Sequence, residues 1–245
     1  MQGFDIGREA RMELTAIARI ENAFTGSFGI PRQSGLTEKM TSRIVFVPEF
    51  RNPDALRGIE AYTHLWLLWE FTEAKRPSEG WHATVRPPKL GGNTRVGVFA
   101  TRSPYRPNPI GLSVVRLLRV ETDCADGPAL LVAGADLMNG TPIYDIKPYL
   151  PYADCYPEAG GGFSEIYADC RLPVTFSEAA KERAASLGMC EETISELAEV
   201  LSLDPRPGYQ NDSGRVYAMS FYDYEIEFSV TEAGIKVSNI RLRSF

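Results

Sequence analysis

Six short apolar runs, set off by turn residues with no long helical pattern between them, constrain what this chain can fold into more than any other feature. They are "LTAIARI" (14–20), "SRIVFV" (42–47), "HLWLLWEF" (64–71), "RVGVFA" (95–100), "LSVVRLLRV" (112–120) and "ALLVAGAD" (129–136). Runs of this length, alternating or rich in β-branched residues, read as strands. Strands joined without helices between them cannot make the parallel crossovers of a doubly wound sheet, so a curled or closed antiparallel sheet is expected. We read it as a β-barrel. The stretch 111–120 fits helix or strand by period alone, and Gly111 with the β-branched residues after it decides for strand. "NPDALRG" (52–58) holds one helical turn at most.

The pattern changes after "KPYLPYAD" (147–154). Three successive glycines, Gly160 to Gly162, mark an irregular linker. Beyond it "SEAAKERAASLG" has Ser177 as N-cap and stops at Gly188, and "EETISELAEVLSLD" supplies a second helix ended by Pro205 and Pro207. Strands follow in "RVYAMSFYDYEIEFSV" and "GIKVSNIRL". The expected organisation is mainly β: a barrel domain over residues 12–158, then a small α+β C-terminal domain over 170–245.

Several function classes drop out. No run approaches the roughly 20 apolar residues that span a bilayer. The charged start "MQGFDIGREARMELTAIARI" lacks the apolar core of a signal peptide, so a cytoplasmic protein is expected. Cys124, Cys155, Cys170 and Cys190 contain no C-x-x-C pair and read as free thiols. His64 and His82 are the only histidines, and neither has metal-ligand spacing, so no metal site is expected. His64 reads as a ring buried at a strand start. Phosphate-binding glycine motifs are absent, and "LLVAGAD" lacks the repeated glycines of a dinucleotide site.

What remains is a set of stiff polar loops. In "VFATRSPYRPNPIGLSVV" (98–115), Pro104, Pro107 and Pro109 hold the backbone more firmly than turning requires. Either this is a preorganised site or it is a rigid solvated connector. The charge around it is one-sided. No acidic residue lies between Glu79 and Glu121, while Arg86, Lys89, Arg95, Arg102, Arg106, Arg116 and Arg119 do, in a chain of net charge −6. A basic patch on an acidic body binds a polyanion at one place, although arginines snorkelling from a strand-rich segment would look the same. "GIPRQSG" (29–35), "RPPKLGGN" (86–93), "TRSPYRPNPIG" (101–111) and "NGTPIYDIKPYLPYAD" (139–154) could converge on one pocket at the strand ends. The "NPI" of the third is similar to Asn-Pro loops that accept the exocyclic amine of adenine on a side-chain carbonyl.

"PRQSGL", "GIEAYTHLWLL", "TVRPPKLGGN", "RVGVFATRSPYRPNPIGLS", "NGTPIYDIKPYLPYAD" and the late "DPRPGY" occur in this order. Together they resemble the family of S-adenosylmethionine-dependent methyltransferases that act on N6 of threonylcarbamoyladenosine beside the tRNA anticodon. The likeness covers most of 14–154 and returns at 204–209. It implies a β-barrel methyltransferase domain, a small C-terminal domain, and a homodimer whose active site draws on both subunits.

The resemblance also implies site residues. Pro31, Arg32 and Gln33 would hold the adenosine end of the cofactor, with Arg102 and Leu112 flanking the stiff loop and Ala133, Gly134, Ala135 and Asp136 running along it. Where other members carry a His-Gln pair after "HLWLLWEF", this chain has Thr72 and Glu73, and Glu73 can accept hydrogen bonds from ribose hydroxyls. Asn108 and Asp145 are the catalytic candidates, Asp145 as acceptor of the N6 proton. Arg106 and Lys147 would meet the threonyl carboxylate or a phosphate, and Tyr149 would stack on a splayed base of the anticodon loop. The reaction needs no metal. Without the resemblance, Asp145 and Lys147 are an ordinary alternate-residue strand pair. A non-catalytic module binding RNA or a nucleotide in the same barrel shares the loops and the basic segment, and only a methyl-donor pocket separates the two readings.

Overall fold

The computed structural model describes residues 12–74, 81–91, 93–122, 124–167, 170–206 and 214–243. The first eleven residues, Gly92 of the second stiff loop, Pro207, and the end of "DPRPGY" lie outside them. Six antiparallel strands close a barrel in the order β1 (Ala18–Glu21), β2 (Thr41–Phe46), β7 (Ala129–Ala133), β6 (Ile110–Glu121), β3 (His64–Glu70) and β8 (Pro142–Pro148), which returns to β1. A two-stranded ribbon, β4 (Thr84–Val85) with β5 (Val96–Gly97), stands outside it. The fold class is therefore the mainly β barrel that the apolar runs imply.

Alternation builds the barrel. In β2 and β3 every second residue is buried, so Ile44 and Phe46 meet Leu65, Leu67 and Trp69 inside, with Val115, Leu130, Val132 and Ile143 from the other strands. Closure leaves no open edge in this sheet. The interior is tight at Trp69. Its indole lies over Gly111, its cross-strand partner, so closely that a Cβ there would sit 2.2–2.5 Å from the ring.

A second sheet has the order β10 (Val216–Phe221), β11 (Tyr224–Thr231), β12 (Gly234–Leu242) and β9 (Val174–Phe176), with β9 parallel to β12. Helices α2 (Glu178–Ser186) and α3 (Glu191–Ser202) accompany it, and Ser177 caps α2 by accepting from the Ala180 amide at 3.1 Å. Its core holds Phe221, Phe228, Leu197 and Leu201. Ala23, Phe24 and Met40 from the N-terminal part of the chain are buried in this same core, so the segment between β1 and β2 belongs to both halves of the molecule.

Three departures from the sequence reading have physical causes. The first run is strand only over Ala18–Glu21. "RVGVFA" gives two strand residues before Val98–Ala100 tightens into a 3-10 turn. "PIYDIKP", read from its prolines as loop, is the sixth barrel strand, β8. Pro142 and Pro148 lie at its ends, where a strand tolerates a missing N–H, and the short helix α1 (Pro151–Asp154) follows. A bulge against Leu68/Trp69 turns Tyr144 and Asp145 outward together.

Gly111→Ala tests the floor of the barrel. Because Trp69 is only 5% exposed and cannot swing clear, the extra methyl is expected to cost about 1–3 kcal/mol, read as a lower urea midpoint at unchanged slope.

Candidate active site

A cleft of about 960 Å³ opens where the 27–33 segment, the end of β3 and the 101–112 loop meet. That volume suits a nucleotide-sized ligand. The 27–33 segment is anchored at both ends. On one side Phe28 stacks against Tyr217 and Phe228 of the second core, each at 6.4 Å between centroids. On the other side Ser34 Oγ accepts from the Val114 amide at 3.1 Å, and the Gly35 amide donates to the Gly134 carbonyl at 2.8 Å. Ile30, Pro31, Arg32 and Gln33 hang between these anchors along the cleft wall.

Gly134 takes φ +80° as the chain leaves β7, and a Cβ there would meet the Gly35 backbone and the Thr37 carbonyl at 3.2–3.3 Å. Its amide also donates to the Met40 carbonyl. Glycine is required at this crossing of two backbones.

The C-terminal half holds the same segment. Glu199 of α3 accepts from the Glu38 and Lys39 amides at 2.9 Å each, and Arg171 donates to the Leu36 carbonyl at 2.6 Å. Arg32 donates to the Arg206 carbonyl at 2.5 Å, while Arg206 is itself paired with Asp204 at 2.8 Å.

The stiff loop fixes itself through its own polar groups as well as its prolines. Thr101 Oγ1 donates to the Val98 carbonyl at 2.8 Å and accepts from the Ser103 amide, and Arg106 donates to the Thr101 carbonyl at 3.0 Å. Its far end is tied to β3 by the Phe71 amide on the Pro109 carbonyl at 2.9 Å. Arg102 crosses from this loop to Gln33, donating to its side-chain carbonyl at 2.5 Å. The two loops thus close on each other at the cleft.

At the floor lies a chain of hydrogen bonds. Trp69 Nε1 donates to Ser113 Oγ at 2.9 Å, and Ser113 donates to Asp136 at 2.5 Å. Burial pushes the Asp136 carboxyl above its ordinary range, against the opposing pull of Ser113, the nearby Arg102 charge and the Ser34 backbone. Glu70, on the rim, accepts from Tyr144, and burial with that carboxylate pushes the phenol up to about 12, which keeps it a donor.

Pro31, Arg32, Gln33, Glu73, Arg102, Arg106, Asn108, Leu112 and Asp136 all line this cleft, and Thr72 does too. Ala133 and Ala135 do not; they are buried at the end of β7, and Gly134 acts through its backbone. Asp145, Lys147 and Tyr149 also lie outside it. Asp145 and Lys147 pair at 2.9 Å on the outer face of β8, and Tyr149 sits against His64 and Trp66 at 6.1 and 5.8 Å. Of the four stiff loops, the last contributes only Thr141. Sequence reasoning passed over Ser113, Trp69 and Ser34. The available signal was Ser113, a lone hydroxyl at an inward position between Gly111 and Val115.

Fold and cleft define a closed six-stranded β-barrel protein with a nucleotide-sized site at the barrel's rim. The family model for the tRNA-methyltransferase O N-terminal domain matches residues 19–155, and that for the TrmO C-terminal domain matches 169–243. A tRNA (adenine(37)-N6)-methyltransferase of Escherichia coli is 38% identical over 227 residues, 90% of this chain and 94% of the relative. One of Eikenella corrodens is 42% identical over 170 residues, 69% of this chain and 92% of the relative. A crystal structure of TrmO from Pseudomonas aeruginosa superposes with a TM-score of 0.74 at 33% identity, covering 94% of this chain and 99% of that one. The chain belongs to the tRNA-methyltransferase O family.

Asp136 makes the site sensitive to pH. Its folded-state pKa is raised from 3.8, so the native protein takes up a proton while the unfolded chain has not. This group therefore adds stability as pH falls through its raised pKa toward 3.8, and the gain is complete below that value. Asp136→Asn removes the dependence: chemical denaturation of both proteins across the acid range should give curves that differ in this direction and over this window.

Proposed function

We propose that the chain transfers a methyl group from S-adenosylmethionine to N6 of threonylcarbamoyladenosine next to the anticodon of tRNA. The observation that carries the reading is the Gln33–Arg102 bond, which joins the "PRQ" loop to the stiff loop directly over the cleft. The donor fits the residues present. Asp136 supplies a carboxylate whose burial penalty a cationic ligand relieves, Gln33 and Glu73 supply polar contacts, and Ile30, Phe71 and Met138 supply apolar wall. Pro31, Arg32, Gln33, Glu73, Arg102, Leu112 and Asp136 hold it in this reading, and Gly134 fixes the turn that places Asp136.

When bound, the sulfonium supplies an electrophilic methyl carbon. The N6 lone pair forms the N–C bond as the C–S bond breaks, and the N6 proton must leave. That lone pair is delocalised into the carbamoyl group, so a proton acceptor assists. Asn108 holds the base through its side-chain amide, and Asp145 takes the single N6 proton. Arg106 and Lys147 meet the threonyl carboxylate or a phosphate, and Tyr149 stacks on a base of the loop. With the reactants held in line, positioning supplies most of the acceleration.

A homodimer completes the site in this reading. Leu112, Leu68 and Asp145 are cross-strand partners on the outer face of β6, β3 and β8, and Ile110 and Leu112 are 39% and 52% exposed there. A second copy seated on that face covers the apolar pair and brings its own Asp145 toward the neighbouring cleft. The enzyme works in the cytoplasm, where tRNA is. Residues 12–158 form the catalytic barrel and 170–245 its support. Incubating the purified protein with the donor and tRNA carrying threonylcarbamoyladenosine, then weighing the nucleosides by mass spectrometry, tests the whole. A mass gain of one methyl at that nucleoside is expected, and none would defeat the reading.

Gln33→Ala should weaken S-adenosylmethionine binding by about 1–2 kcal/mol in calorimetry, as for a lost buried hydrogen bond. Unchanged affinity would remove that loop from the pocket.

Asp145→Asn should lower turnover on the order of 10²-fold with cofactor affinity nearly intact. If the site is shared between copies, mixing this variant with Gln33→Ala should restore part of the lost activity. Equal losses of binding and turnover would point to a structural role.

A further inference from the structure

Two large aromatic side chains stand in water beside the cleft. Trp81 is 52% exposed and Phe99 70% exposed, and their rings lie 5.7 Å apart at 35°. They are held by the ribbon: the Val98 amide donates to the Ala83 carbonyl at 2.9 Å, and Thr84 and Val85 pair with Gly97 and Val96. Val98, 1% exposed, anchors the 3-10 turn from inside and so directs its neighbour Phe99 outward. From this turn the chain runs straight into Thr101, Arg102, Tyr105 and Arg106 on the cleft wall, and Tyr105 is itself 54% exposed.

The chemistry of the surroundings selects an occupant. Every charged residue from Trp81 to Val120 is basic, and Arg95 is held on the ribbon itself through Thr84 Oγ1 at 3.0 Å. Exposed aromatic rings among fixed cations suit an unpaired nucleobase, whose face stacks while its phosphates meet the arginines. A second copy of the chain suits the patch less well. A two-fold contact through the ribbon would set like charge against like charge.

We propose that Trp81 and Phe99 form a stacking platform for an unpaired base of the RNA, next to the nucleotide held in the cleft. This rests on the tRNA reading above and names the surface that orients the loop. Stacking on the platform splays the chain between two bases, so the reacting base enters the cleft already unstacked on one side.

The test is binding of an anticodon stem-loop RNA, followed by fluorescence and repeated over a range of salt. Trp69 is buried and the Trp66 indole N–H is bonded to Asp154 at 2.9 Å, so Trp81 is the indole placed to be quenched by a stacked base. Wild-type emission should fall as RNA is added. Trp81→Phe should remove most of that quench, leaving what Trp66 beside Tyr149 contributes, yet keep affinity within about twofold, because a ring remains to stack. Trp81→Ala and Phe99→Ala should each weaken binding by roughly 5- to 100-fold. Their log–log salt dependence should stay as in the wild type, since no phosphate contact is lost. Affinity for S-adenosylmethionine and the melting temperature should not move.

Wild-type RNA affinity in the doubly substituted Trp81→Ala, Phe99→Ala protein would overturn the platform. So would a weakened affinity accompanied by a flatter salt dependence, or a change in the mass of the assembly by analytical ultracentrifugation. A wild-type protein that ignored the stem-loop altogether would defeat the tRNA reading as well, and is distinguishable because no variant need be made to see it.

Discussion

The cleft depends on one close crossing of two backbones, where the Gly35 amide reaches the Gly134 carbonyl at 2.8 Å. At this point the chain leaving β7 and the irregular segment between β1 and β2 touch without side chains between them. A methyl group at Gly134 would press into the Gly35 backbone, and its φ of +80° is costly for any other residue. Everything on the cleft's near wall hangs from that crossing. Ser34 adjacent to it caps the Val114 amide, and Gln33 one residue earlier accepts from Arg102. The other end of the segment is buried in the second core through Phe24, Phe28 and Met40. The C-terminal half therefore acts on the cleft mechanically, through Glu199, Arg171 and Arg206, none of which lines it.

Electrostatics at the floor follow from the same packing. Asp136 comes two residues after Gly134, so the tight turn that fixes the loop also aims a carboxylate into partial burial. The fold answers that cost with a hydroxyl, Ser113, which is held in place by the Trp69 indole. Trp69 can lie there only because Gly111 leaves room for it. Core packing, a hydrogen-bond relay and the charge of the site are thus one arrangement, and a cation in the cleft would complete it.

Much of this was legible in the chain. The alternation in "SRIVFV" and "HLWLLWEF" corresponds closely to β2 and β3, and Ser177 and Gly188 bracket α2 as their chemistry requires. The triplet Pro31–Gln33, Arg102 and Asp136 are far apart in sequence, and motif resemblance alone grouped them; the cleft brings them together. What could not be read has physical reasons. β8 hides behind its terminal prolines because propensity cannot see two neighbouring strands that both offer hydrogen bonds to "PIYDIKP". Ser113 is silent because its meaning lies in two partners, at positions 69 and 136, that no local window contains. The clamp from Glu199 joins residues about 160 positions apart.

The stiff loop shows why prolines alone would not suffice. Proline fixes its own φ and restricts the residue before it, but Pro104, Pro107 and Pro109 leave torsions unfixed at Thr101, Arg102 and Tyr105. Those residues are held by polar contacts. Thr101 bonds Val98 and Ser103, and the Arg106 guanidinium returns to the Thr101 carbonyl, closing a ring of six residues, 101–106. Arg106 is consequently both a wall of the cleft and a strut of the loop. It faces a ligand with donors still available, in a geometry already fixed before anything binds. The ordering entropy that a flexible basic loop would lose on gripping RNA has been lost in folding instead, and the barrel core bears that cost.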